Sequence, residues 1–79
     1  MTNIESYKQI FLESLSIDIK KFNEEIKYNE VEEWDSIGHM TLISGLEEGF
    51  NISLETDDIV EFSSYKKGIE ILKKYKITF

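Results

Sequence analysis

A chain of 79 residues without a single cysteine has neither disulfides nor a thiolate metal site to staple it, so buried side chains must hold it together alone. The same absence rules out a cysteine nucleophile. A domain this small buries a modest fraction of its surface, so almost every large apolar residue is needed in one core. Proline is missing and there are only four glycines. With Leu, Ile, Glu and Lys abundant, the composition suits helices and not a turn-rich β fold. No apolar run is long enough for a transmembrane helix or a signal-peptide core. The expectation is a soluble, cytoplasmic protein, a single domain over residues 1–79.

Periodicity organises the chain into four helices. Ile4, Tyr7, Ile10, Phe11 and Leu15 fall at helical spacing behind Thr2 or Asn3 as a cap, which predicts a first helix over about residues 3–15. Residues 16–33 have no clean period, and a connection this long is uncommon in a small domain. Ile17, Phe22, Ile26, Tyr28, Val31 and Trp34 are too apolar for a free linker, so the loop is expected to lie on the helices and close one end of the core. A second helix starts at Asp35 or Ser36, with Ile37, Met40, Ile43, Leu46 and Phe50 as its buried face. It stops at Phe50, because Asn51 tolerates the left-handed conformation that ends helices and Ile52 supplies the apolar contact after it. Thr56 before Asp57 and Asp58 marks a short third helix ending near Phe62. Ser64 caps a fourth, with Tyr65, Ile69, Leu72 and Tyr75 directed inward and Lys73 and Lys74 in its last turn. The predicted fold is an all-α four-helix bundle, three helices longer and the third short.

Charge is segregated along the chain. Residues 1–22 balance; residues 23–61 carry twelve acids against Lys27 alone, giving −11; residues 62–79 carry five lysines against Glu70, giving +4. A central block this acidic repels nucleic acid and anionic membrane surfaces and steers toward basic proteins. Solubility alone is an equally serviceable use of it.

The stretch Glu32–Met40, EEWDSIGHM, allows three uses for Ser36. It can be a helix cap, since Asp and Ser both favour helix starts, although no Glu or Gln stands three residues on to complete a capping box. It can be a nucleophile, with His39 on the same helical face and Asp35 adjacent. That use lacks an orienting third group, an oxyanion hole and the glycine-flanked elbow of serine hydrolases. It can also be an attachment point: with Asp35 as the cap, Ser36 takes the first helical position and turns its hydroxyl to solvent. A phosphodiester built there would meet the unsatisfied amides and dipole of a helix N-terminus.

From Trp34 onward the chain resembles the acyl carrier protein family, and that resemblance selects the attachment reading. It rests on DSI at Asp35–Ile37, LISGLEEGF at Leu42–Phe50, ISLETDDI at Ile52–Ile59 and SSYKKGIEIL at Ser63–Leu72. The family pattern lies over Asp35–Leu72 without a gap, while the first helix and its loop match in layout only. The resemblance implies a non-catalytic carrier whose Ser36 bears 4′-phosphopantetheine, installed from coenzyme A by a phosphopantetheinyl transferase, with Asp35 as the flanking acid. Acyl groups would ride on the arm's thiol as thioesters, loaded by a ligase or synthase and passed to acyltransferases. It further implies that Ile37 and Met40 are apolar contacts for those enzymes. Glu47 and Glu48 of the second helix would meet basic patches on the partners, with Asp57 and Asp58 of the acidic third helix beside them. No metal, nucleic acid or membrane insertion is expected, and a monomer is.

Departures from the family pattern cluster around the serine. Gly38 stands where fatty-acid carriers usually have an acid and Thr41 where they usually have Glu, while Trp34 and His39 are also unlike a housekeeping carrier. The WDSIGH form is similar to carriers dedicated to a specialised lipid, surface-glycan or natural-product pathway. Ser44, Gly45 and Gly49 could leave room for cargo inside the bundle, or the glycines could serve close helix packing; packing is the preferred reading. An unmodified acidic adaptor that docks basic partners is the alternative from a different class.

Overall fold

The computed structural model describes residues 2–79, which form four α-helices and no strand. Helix α1 spans Asn3–Leu15, α2 Ser36–Phe50, α3 Thr56–Glu61 and α4 Tyr65–Lys73, with a 3-10 turn at Ile19–Lys21. Among the described residues no helix is long and apolar enough to cross a membrane, and no group of acids and histidine could hold a metal ion.

Each long helix begins where a side chain can occupy its orphan amides. Thr2 and Glu5 cap α1 reciprocally, Glu5 N–H donating to Thr2 Oγ1 at 3.3 Å and Thr2 N–H to Glu5 Oε1 at 3.0 Å. The Thr2 amide, then the Thr2 hydroxyl, both donating to Glu5 Oε1, hold the Glu5 carboxyl below its usual range. Ser64 caps α4 by accepting from Lys67 N–H at 2.9 Å. Asn51 ends α2 at φ 56°, and Ile52 N–H reaches back to the Glu47 carbonyl at 3.0 Å. The start of α3 differs from expectation: Thr56 is the first helical residue, and Glu55 holds the cap position without a side-chain bond. The Glu55 N–H donates to the Tyr75 hydroxyl at 3.0 Å, which ties the start of α3 to the segment after α4.

The core is aromatic. Trp34, Tyr7 and Phe11 are fully buried and Phe62 and Tyr65 nearly so, and they meet mostly edge to face, as ring quadrupoles prefer. Phe11 packs on Trp34 at 5.0 Å and on Tyr65 at 5.1 Å between centroids. The Tyr7 hydroxyl donates to the Tyr65 carbonyl at 2.7 Å. Burial pushes the Tyr7 phenol well above its ordinary pKa and that of Tyr65 to about 12. The long loop does close this core: Ile17, Ile26 and Trp34 are buried within it. Its backbone pairs with the entrance to α4, through Tyr28 N–H to the Ser63 carbonyl at 2.8 Å and Tyr65 N–H to the Ile26 carbonyl at 3.0 Å.

Two predicted faces need correction. In α2 the buried residues are Leu42, Ile43 and Leu46, while Ile37 and Met40 stand 78 % and 54 % exposed. The helix is apolar on more than one side, so periodicity alone left its rotation open. Its glycines decide it, as shown below. In α4, Ile71 and not Ile69 is fully inside.

Asp58 joins α3 to the end of α4. It is buried, its Oδ1 pairs with Lys74 Nζ, and its Oδ2 accepts from the Tyr75 hydroxyl. The Lys74 bond, then the Tyr75 bond, hold the Asp58 carboxyl below its ordinary value, and the same contacts raise Lys74 and Tyr75. A carboxylate depressed in the folded state stabilises above its unfolded pKa and loses that contribution as pH falls through the folded one. Stability is therefore expected to hold down to about pH 5 and to fall progressively below about pH 4. Glu5, Glu25 and Glu33, all likewise depressed, act in the same direction. Urea titrations of the parent and of Asp58→Asn across that range should show a shallower acid slope in the variant; an equal slope would remove Asp58 from the account.

Candidate functional site

The first turn of α2 is built on Trp34. Its indole is fully buried between Phe11 and Phe62, and this pins the chain one residue before the helix cap. Asp35 follows in extended conformation as the cap, its Oδ1 accepting from Gly38 N–H at 2.8 Å. Ser36 is then the first helical residue and is exposed. Because the cap bond is taken by Asp35, the Ser36 hydroxyl is left to solvent. A shallow surface groove starts at that hydroxyl and runs along α2, lined by Ser36, Ile37, Met40, Thr41 and Ser44. Its lining carries no charge.

His39 has no nitrogen to offer Ser36. Trp34 Nε1–H donates to His39 Nδ1 at 3.0 Å, and His39 Nε2 lies 2.8 Å from the Ile59 carbonyl. An indole nitrogen can only donate, so Nδ1 accepts and the proton sits on Nε2, which donates to Ile59. The imidazole stacks on the Trp34 ring at 21° and meets Tyr28 and Phe62 edge to face. The Ile59 carbonyl lies in the last turn of α3, where carbonyls lack intrahelical partners. His39 is thus a brace from α2 to α3, and the Ser36–His39 nucleophile reading is set aside. The pattern W-x4-H could have signalled this, since an indole donor and an imidazole acceptor at that spacing can meet across a helix start.

Glycines set the rotation of α2. A Cβ at Gly38 would lie 2.1 Å from the Glu33 carbonyl oxygen, at Gly45 2.4 Å from Ser14 Oγ, and at Gly49 2.5 Å from Ile10 Cδ1. Gly45 and Gly49 therefore seat α1 against α2, which supports the packing reading of these two residues. Gly38 makes room for the loop backbone before Trp34. With that side turned inward, Ile37 and Met40 are carried outward beside Ser36.

The acids separate into free and occupied. Glu48 and Asp57 are exposed. Glu47 is half-buried, its Oε2 accepting from Leu54 N–H at 2.8 Å, which ties the end of α2 to the following loop. Asp58 is committed to Lys74 and Tyr75. Of the paired acids expected to face partners, Glu48 and Asp57 are the exposed ones. Val60 of α3, 76 % exposed, joins Ile37 and Met40 among the apolar side chains left outside.

No family model matches the chain, and no curated protein matches it.

Gly38→Ala tests this construction. Alanine ordinarily stabilises a helix interior by about 1 kcal/mol over glycine. Here the new methyl meets backbone, so a net loss of about 1–3 kcal/mol is expected, read as a lowered melting midpoint. A midpoint that rises would show that residues 33–34 can retreat without cost.

Proposed function

We propose that this chain is an acyl carrier whose Ser36 holds a 4′-phosphopantetheine arm. The observation that carries the reading is the placement of Ser36: exposed, in the first turn of a 15-residue helix, and relieved of capping by Asp35. The resemblance over Asp35–Leu72 supports the same residue. The chemistry of the position fits a phosphodiester. Of the amides in that first turn, Gly38 N–H is taken by Asp35, which leaves those of Ser36 and Ile37 for an anion, favoured further by the helix dipole.

In the modification Ser36 Oγ bonds to the phosphorus that carries pantetheine. The pyrophosphate P–O bond of coenzyme A breaks, the nucleotide half leaves, and the hydroxyl proton passes to the transferase. The arm, once bound, supplies a thiol on which acyl groups are held as thioesters. The protein's own part is presentation. Ile37 and Met40 give loading and acceptor enzymes an apolar contact beside the serine, and Glu48 and Asp57 steer basic enzyme surfaces toward it. The surroundings of Ser36, without the acids usual at positions 38 and 41, favour a dedicated loading enzyme in a specialised pathway.

Intact mass after incubation with coenzyme A and a broad-specificity phosphopantetheinyl transferase decides the matter. The parent should gain one phosphopantetheine unit and Ser36→Ala none, with both melting alike, because an exposed substitution away from the cap changes stability by no more than about 0.5 kcal/mol. No gain with several transferases would favour an unmodified acidic adaptor, which would bind its partner equally well with alanine at position 36.

A further inference from the structure

The same brace that occupies His39 bears on what the arm can carry. Resting on the reading of Ser36 as the arm-bearing residue, we propose that this carrier holds its cargo outside the bundle. Its substrates would then be short or polar acyl units, not long alkyl chains. On the α3 side of α2, an alkyl chain attached beside Ser36 would have to reach the core between α2 and α3. There His39 Nε2 bridges to the Ile59 carbonyl at 2.8 Å, and beneath it lies Trp34, fully buried and held by its own bond to His39 at 3.0 Å. Phe62 closes against both rings, at 6.5 Å from Trp34 and 5.9 Å from His39. An entering chain would have to break two hydrogen bonds at once, leaving the Ile59 carbonyl and the indole N–H without partners, and displace aromatic side chains from a close-packed interior. On the far side of α2, Ile10 and Ser14 of α1 lie against Gly45 and Gly49, and the groove over that seam is open to solvent and flanked by Glu13 and Glu48, so it offers an alkyl chain no enclosed apolar space. What Ser36 does open onto is the uncharged groove of Ile37, Met40, Thr41 and Ser44. A thioester lying there is in water. That suits cargo that is itself water-compatible, such as an aminoacyl or hydroxyacyl group.

The absence of cysteine allows a test that needs no transferase. Ser36→Cys would carry the sole thiol, which can be converted to mixed disulfides with methyl, butyl, octyl and decyl groups through the alkyl thiosulfonates. Melting midpoints and Trp34 emission should be the same for all four. A sequestered chain would behave otherwise: each buried methylene shifts the folding equilibrium about fourfold. The octyl adduct would then melt more than about 10 °C above the methyl adduct, with a displaced Trp34 emission. That result would overturn the proposal, whatever the outcome with coenzyme A; conversely, a protein that no transferase modifies would sink the carrier reading and leave the adduct series unaffected. His39→Ala in the Ser36→Cys background removes the brace and should restore a dependence of Trp34 emission on chain length. A flat response there would strip His39 of the role.

Discussion

Everything around Ser36 depends on the hydrogen bond between an indole and an imidazole. Trp34 brings the largest side chain in the protein into the centre of the core, where truncation of such a residue ordinarily costs about 3–5 kcal/mol. A domain of this size has a total stability of roughly 4–12 kcal/mol, so that one residue decides whether the loop stays closed. Its ring nitrogen must still find an acceptor. His39, five residues on, accepts it and passes the satisfaction forward by donating to the Ile59 carbonyl. One chain of two hydrogen bonds therefore fixes the loop, the start of α2 and the end of α3 relative to one another.

The elements of the fold were legible because their signals are local. The Thr2 cap, the Asn51 stop, the Ser64 cap and the apolar spacing of α1 each act within a few residues, and the structure has them where the sequence places them. The loop's burial was legible from its apolar content. The rotation of α2 was not, because Ile37 and Met40 continue the same apolar period as Ile43 and Leu46. What excludes them from the core is the contact of Gly38 with the Glu33 carbonyl and of Gly45 and Gly49 with α1, and contacts of that kind have no signature in periodicity. Thr56 is the first helical residue and not the cap, and the start of α3 is held by a tertiary contact with no local signature, the Glu55 N–H donating to Tyr75 twenty residues away. In the candidate site, Asp35 and Ser36 were readable from cap chemistry, whereas the commitments of His39, Glu47 and Asp58 are tertiary.

Charge also reads differently once the helices are packed. The acidic central block and the lysine-rich C-terminal segment are separate in sequence, yet Lys66 meets Glu25 and Lys74 meets Asp58 across the fold. The Glu25–Lys66 pair is exposed on both sides, and pairs of that kind contribute little. Asp58 is different, because its carboxylate is buried and also bonded to Tyr75, so it belongs to the architecture and not to the steering field. The acids left to act at a distance are those with no internal partner, Glu48 and Asp57 among them.

Three residues near Ser36, Trp34, Gly38 and His39, form one linked set and not separate features. Burying an indole at position 34 draws residue 33 down until its carbonyl occupies the space of a Cβ at position 38. Any acid at position 38 is then excluded on steric grounds, whatever a partner enzyme would prefer. The same indole needs an acceptor at its ring nitrogen, which His39 provides, and the same glycine lets α2 rotate so that Ile37 and Met40 face water. On the carrier reading, an enzyme approaching Ser36 meets an apolar and hydroxyl-bearing surface at close range, with carboxylates only farther along α2 and on α3. Long-range attraction would remain acidic and salt-sensitive, while discrimination among enzymes would fall to shape and apolar contact beside the serine. A partner evolved to grip acids at positions 38 and 41 would find its own cations desolvated without a counter-charge, and that penalty is what would keep such a carrier from serving the wrong pathway.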